Sequence, residues 1–252
     1  MLFRLHSKDY HPEIVYSAYS DIGNRTGVNQ DAVCAIIKSG FSVFCVADGM
    51  GGHADGELAS GEITKGIKEW ADGRIDHQNE SSTEIFNDFE KLVEKINSTI
   101  FLKYNAERTC GSTLVALLVC KNEFCVISAG DSRIYRLNRH GLSQLSCDDI
   151  WQGDENDPNY SLKIGKLLKA VGVNKDIIFN RVSGELKHKD GFFLCSDGLY
   201  KVLGDEAMAV ISRRMFKARD ERDLESNLRE IKRRVYSGGA PDNNTGVVVL
   251  VR

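Results

Sequence analysis

Four aspartates stand where buried strands ought to end. Asp48 closes "FSVFCVA", Asp131 closes "FCVISAG", Asp197 closes "FFLCS", and Asp242 comes a short turn before "GVVVLV". Any one of them could be a turn residue, since Asp, Gly and Ser are turn formers. Four together place carboxylates on rigid strand ends, which can converge on one end of a sheet sandwich. Converging carboxylates raise one another's pKa, and a divalent cation relieves the conflict. Oxygen-only ligands, with no His or Cys among them, select a hard ion, Mg²⁺ or Mn²⁺. Two such ions about 3.5–4 Å apart can share a carboxylate and hold a hydroxide for in-line attack on phosphorus. Gly49, directly after Asp48, has no Cβ, so its backbone carbonyl can approach a metal closely.

The elements that must hold these carboxylates are short apolar runs: 14–20, 32–37, 41–47, 112–120, 124–130, 133–137, 192–196 and 246–251. They are rich in Val, Ile and Phe and are bounded by Gly, Asp and Asn, which predicts strands. Links as short as "KNE" between Cys120 and Phe124 favour antiparallel hairpins over βαβ crossovers. Four segments carry helical period instead. Their marks are Ala59, Ile63, Ile67 and Trp70; Phe89, Val93, Ile96, Ile100 and Tyr104; Met208, Ile211 and Met215 behind a cap at Asp205; and Leu224, Leu228, Ile231 and Val235. Strands in blocks and helices in pairs predict an α+β fold, two antiparallel sheets face to face with amphipathic helices outside. No Pro/Gly/Ser linker divides the chain, so residues 1–252 are expected to form a single domain. The polar segment 147–165 is expected to be a surface loop and a candidate flap.

Composition narrows the function classes. With 252 residues, 42% hydrophobic and 27% charged, the chain is ordinary for a globular protein. A formal charge of −3 argues against nucleic acid or an anionic membrane as partner. No apolar run reaches the roughly 20 residues that span a bilayer, and residues 1–15 lack the apolar core of a signal peptide. Seven cysteines, an odd number with no CxxC, sit mostly inside apolar runs. They are expected to be reduced core thiols in a cytoplasmic protein.

Six stretches, in order, carry a resemblance: "SDIGNRTGVNQDAV" (20–33), "VADGMGGHADGELAS" (46–60), "GSTLVALLV" (111–119), "SAGDSRIYRL" (128–137), "LCSDGLYKVL" (194–203) and "PDNNTGVVVL" (241–250). The series resembles that of the metal-dependent PPM/PP2C serine/threonine protein phosphatases, and "DGMGGH" resembles their bacterial branch. The resemblance implies a sandwich flanked by helix pairs, with two Mn²⁺ or Mg²⁺ ions at one end and a third, weaker one beside them. It implies that Asp48 bridges the two metals, that the Gly49 carbonyl binds the second, and that Asp197 and Asp242 complete the first. Asp131 would hold the third ion together with Asp197. Gln30 and Asp31 would touch metal-bound waters; many members carry Glu where this chain has Gln30, so the second metal is expected to be modestly weaker. The implied reaction is hydrolysis of phosphoserine and phosphothreonine in proteins by a metal-bridging hydroxide, with no phosphoenzyme. Its substrates would be the phosphoproteins of a Ser/Thr kinase, and the enzyme a cytoplasmic monomer. The alternative is a silent binding module that keeps the fold.

Two residues leave alternatives open. Arg25 is the natural phosphate clamp, because a guanidinium matches two phosphate oxygens. The family spaces this Arg four residues before the Glu/Gln, whereas here the interval to Gln30 is five and Thr26 holds the expected place. Either the loop bulges at Gly27 or Arg25 is not the clamp. His53, the only histidine within a motif, is either the general acid for the leaving alkoxide or a residue that orders the glycine loop and metal site. Ser132 and Ser196 have neither a GxSxG elbow nor a placed His/Asp partner, and no CxxxxxR loop occurs. Serine and cysteine nucleophiles are therefore set aside.

Overall fold

The computed structural model describes residues 12–51, 55–74, 80–104, 110–155 and 157–252. In chain order the elements are β1 (Ile14–Asp21), β2 (Asp31–Ile37), β3 (Ser42–Gly51), α1 (Asp55–Gly73), α2 (Ser82–Tyr104), β4 (Cys110–Ser112), β5 (Leu114–Cys120), β6 (Glu123–Ala129), β7 (Arg133–Asn138), β8 (Gly141–Gln144), α3 (Tyr160–Lys163), β9 (Asn180–Glu185), β10 (Gly191–Cys195), α4 (Asp197–Phe216), α5 (Glu221–Ser237) and β11 (Asn244–Val251).

The strands form two antiparallel sheets. One has the order β1-β11-β10-β7-β8; the other runs β2-β3-β5-β6-β9, with β4 beside β3. Three apolar layers follow from the alternation of side chains along each strand. Phe44, Val46, Val115, Leu117 and Phe124 face Ile134, Phe192, Leu194, Val247 and Val249 between the sheets. On the outer side of the second sheet, Val43, Cys45, Ala116 and Leu118 pack on α1 and α2 through Ile63, Ile67, Phe89 and Ile100. On the outer side of the first, Phe193, Val248 and Leu250 pack on α4 and α5 through Met208, Ile211, Leu228 and Ile231. Both sheets are thus covered on both faces. That is why "LVALLVC" and "NTGVVVLV" are apolar at nearly every position rather than alternating, and why β5 and β11 are buried throughout. Six of the seven cysteines are buried in these layers and all those described are free thiols.

All eight expected strands are present, and the run 112–120 divides into β4 and β5 at Thr113. Two strands carry no apolar run, β8 ("GLSQ") and β9 ("NRVSGE"). Each is the outermost strand of its sheet, half exposed, and so free to be polar. The four expected helices are present. However, α4 opens eight residues before the expected cap Asp205 and breaks at Gly204 (φ 70°). The early start places Asp197 in a first helical turn.

The described residues of segment 147–165 are mostly irregular and at the surface. The segment contains α3 and is tied down at its base: the Asp149 amide donates to the Gly130 carbonyl at 3.0 Å, and its carboxylate takes Lys169 at 2.7 Å and Asn180 at 2.9 Å. Asp148 receives the Arg133 guanidinium in a fork, at 3.0 and 2.7 Å.

Candidate active site

Strand registers decide where the carboxylates meet. Asp31 opens β2 directly opposite Asp48 on β3. The start of β5 lies opposite the end of β6, which leads into Asp131. In the other sheet, Cys195 at the end of β10 faces both Gly246 of β11 and Arg133 of β7, so Asp197 and Asp242 leave their strands at one end. The two sheets are stitched together at this same end. The Gln30 amide donates to Asn243 Oδ1 at 2.8 Å, and Ser196 Oγ donates to Asp31 Oδ2 at 2.7 Å. Asp48, Asp131, Asp197, Asp242 and Asp31 thereby share one end of the sandwich, as expected.

Their electrostatics show the conflict anticipated from the sequence. Asp48 is held well above the ordinary carboxylate range, first by burial and then by the charges of Asp31, Asp197, Asp131 and Asp242. Burial, aided by Asp197 and Asp242 against the hydrogen bond from Ser196, lifts Asp31 to about 6. Burial and the neighbouring Asp197 also raise Asp131, against the pull of Lys201. Among the described residues, no three His, Cys, Asp or Glu side chains are already drawn into a closed ligand set. Asp242 is paired with Arg25, while Asp131 and Asp197 are paired with Lys201 Nζ at 3.1 and 2.6 Å.

The donor set nonetheless fits hard divalent ions. It is made of carboxylates, it lies at one sheet end, and Asp31 Oδ1 is buried with no hydrogen-bond partner among the described residues. Asp48, Asp197 and Asp242 would hold the ions. Such ions, when bound, supply Lewis acidity and an activated water.

Individual residues are held as follows. The Asp48 amide donates to Thr113 Oγ1 at 3.0 Å, and Thr113 Oγ1 lies 2.7 Å from Ser132 Oγ. Ser196 Oγ, besides reaching Asp31, accepts from the Thr245 amide at 3.0 Å. Both serines that could have competed as nucleophiles are fully buried in these positioning bonds. Asn243 accepts from Gln30 and donates to the Ile22 carbonyl at 2.9 Å, so it fastens the Arg25 loop to β11. Thr113, Ser196 and Asn243 carried no signal beyond a place inside a motif. Lys201 had one: it follows Asp197 by four residues, a spacing that pairs charges only if Asp197 already lies in a helix.

Gly49 has a second reason to be glycine. A Cβ there would lie 2.0 Å from the Gly56 carbonyl oxygen, because β3 and the start of α1 touch backbone to backbone. Gln30 is nearly buried; its carbonyl accepts from the Gly49 amide at 3.0 Å and from Ser60 Oγ at 2.6 Å. Gly27 has φ 107° with open space around it. This is a left-handed backbone that glycine adopts without steric cost. Arg25 reaches Asp242 from this loop, at the edge of the site rather than on a remote surface. His53 lies outside the described residues.

The chain is similar in sequence and fold to known phosphatases. The family model described as "Protein phosphatase 2C" matches residues 24–231. The serine/threonine protein phosphatase PstP of Mycobacterium tuberculosis is 28% identical over 246 residues; the match takes in 94% of this chain and 45% of that protein, so the chain spans about half the relative's length. The serine/threonine phosphatase stp of Listeria monocytogenes is 28% identical over 228 residues, 84% of this chain and 85% of that one. Among solved structures, PppA of Pseudomonas aeruginosa superposes with TM-score 0.77 at 27% identity, over 95% of this chain and 100% of the other. The catalytic domain of PstP, crystallised in complex with two manganese ions, superposes with TM-score 0.75 at 26% identity over 95% and 99%.

Proposed function

Because the chain belongs to the protein phosphatase 2C family, we propose that it hydrolyses phosphoserine and phosphothreonine in proteins, with Mn²⁺ or Mg²⁺ held at the carboxylate end of the sandwich and residues 1–252 acting as one catalytic domain. The observation that carries this reading is the gathering of Asp31, Asp48, Asp131, Asp197 and Asp242 at one end of the sandwich, with Asp31 directly opposite Asp48 and the half-buried Asp48 feeling the charges of the other four. Among the described residues Arg25 pairs with Asp242 and Lys201 with Asp131 and Asp197, but no ion pair reaches Asp31 or Asp48, whose adjacent charges a divalent cation would relieve. The two manganese ions in the PstP catalytic domain support the same number here.

Ions held there would supply Lewis acidity toward a phosphoryl group and a water of lowered pKa. The chain's own residues do the rest. Asp48, Asp197 and Asp242 would hold the ions, and the buried Asp31 would orient water beside them. Arg25 leaves Asp242 to meet the substrate's phosphate, where its planar fork suits two oxygens. A phosphate monoester on a protein chain is the substrate class, and a Ser/Thr kinase is the source of such groups. A monomer in the cytoplasm is part of the proposal. Hydrolysis of an aryl phosphate and of a phosphopeptide panel tests it. Activity should vanish with EDTA and return with Mn²⁺ or Mg²⁺; full activity in the chelated protein would sink the metal-dependent reading.

A further inference from the structure

Resemblance to the family leads one to expect a third divalent ion between Asp131 and Asp197. The structure fills that place with part of the protein. Lys201 Nζ lies 2.6 Å from Asp197 Oδ2 and 3.1 Å from Asp131 Oδ2. These are the distances of charge-assisted hydrogen bonds to both carboxylates at once. The arrangement follows from the fold. Because α4 opens at Asp197, Lys201 is one turn further on and on the same helix face. The helix turn is itself fixed against Asp131: Tyr200 OH donates to the Asp131 carbonyl at 3.0 Å, and the Arg133 guanidinium, forked to Asp148, lies 3.8 Å from the centre of the Tyr200 ring. Asp131 is 6% exposed, so its charge cannot be left to water.

We infer that the Lys201 ammonium is the resident cation between Asp131 and Asp197, and that this chain takes two divalent ions and no third. An ammonium and a dication cannot share the same two oxygens, and a tethered cation needs no free-ion concentration to stay in place. Both carboxylates give Oδ2 to the ammonium, and Asp131, the more buried of the two, has the lysine as its cation. The inference rests on the metal-dependent reading above. It makes Lys201 a positioning residue that sets metal stoichiometry.

The test is a Mn²⁺ binding count on the metal-stripped full chain, by calorimetry and by dialysis with elemental analysis, up to millimolar Mn²⁺. The wild type should bind two ions, as in the manganese complex of the related PstP domain. Lys201→Gln should bind a third, Lys201→Gln with Asp131→Asn should return to two, and Lys201→Arg, which keeps a cation, should stay at two. Without metal, Lys201→Gln should melt a few degrees lower than the wild type and Lys201→Arg should recover much of the loss. A third ion in the wild type that Asp131→Asn removes would overturn the inference. So would equal counts in the wild type and Lys201→Gln, since the ammonium would then not be what keeps an ion out. A count of zero in the wild type would remove the metal-dependent reading as well, so the two failures are distinguishable.

Discussion

Asp48 is half-buried, and burial with the charges of four other carboxylates holds it well above the ordinary carboxylate range. Asp48→Asn removes a charge that folding forces out of water, so the metal-free variant should melt higher than the metal-free wild type near neutral pH. Its turnover at saturating Mn²⁺ should fall by more than ~100-fold, beyond what loss of an outer-shell partner produces. Thermal melts with EDTA and steady-state rates with Mn²⁺ check both halves, and retained wild-type turnover would show that Asp48 is not a ligand. Arg25 makes a different kind of contribution. It meets the ground-state phosphate, so Arg25→Ala should act mainly on KM. Loss of a charge-assisted bidentate pair should lower kcat/KM by about 1.5–3 kcal/mol, roughly 10–150-fold. Arg25→Lys should restore only part, because an ammonium is not a planar fork. Thr26→Ala is the control. If it proves the more damaging change while Arg25→Ala is silent, the bulge at Gly27 does not serve to present Arg25.

At the scale of elements, the site depends on how closely α1 approaches β3. The two meet at Gly49 and Gly56, where an added Cβ on Gly56 would lie 2.6 Å from the Gly49 carbonyl oxygen and 2.7 Å from Gln30 Nε2. Gly56→Ala must therefore push the start of α1 away from β3, the strand that carries Asp48. The expected result is a loss of about 1–3 kcal/mol in stability, as for other overpacked sites, together with weaker Mn²⁺ binding. Gly61, one and a half turns on in the same helix, has open space where its Cβ would be. Gly61→Ala should stabilise by about 0.5–1 kcal/mol through helix propensity, with binding unchanged. Denaturant melts and calorimetry on the pair separate crowding at the site from helix propensity. If Gly56→Ala binds Mn²⁺ as tightly as the wild type, the glycine contact does not position Asp48.

The whole molecule should show its carboxylate cluster in the pH dependence of stability. Asp31 is raised to about 6, and Asp48 and Asp131 are also raised. Between the ordinary carboxylate pKa of about 4 and these raised values, the folded metal-free chain keeps protons that the unfolded chain has released, so its stability must fall as pH rises. The surface carboxylates that ion pairs and hydrogen bonds depress, Glu230 to about 2 among them, work the other way: their stabilisation is present above the ordinary carboxylate value and is lost as pH falls. Metal-free protein should therefore be most stable near pH ~5 and lose stability toward pH ~7. Added Mn²⁺ should flatten or invert the upper limb, because ions bind the ionised cluster. Melts across pH with EDTA and with Mn²⁺ test this, and an EDTA profile that rises from pH 5 to 7 would contradict it.

How much of this was legible beforehand depended on how local the cause was. The buried strands and the four amphipathic helices were readable because an apolar run states its own burial within a few residues; the ending was less local, since β3 runs past Asp48 to Gly51 by pairing with β4. The edge strands β8 and β9 were not, since an edge position removes the demand for apolar residues and leaves only pairing, which is non-local. The partners of the aspartates were equally hidden. That Asp31 stands opposite Asp48 is a matter of register, and that Ser196 reaches Asp31 or Asn243 reaches Gln30 is a matter of two sheets closing face to face. The sequence by itself determined the chemistry, carboxylates on rigid ends with hard ions as their natural relief, because residue type decides ligand hardness and charge. Only the tertiary structure decided which cation each carboxylate meets, Arg25 for Asp242 and Lys201 for Asp131 and Asp197. The start of α4 rotates Lys201 onto the face of Asp197, and the closure of the sandwich brings Asp131 to the same ammonium.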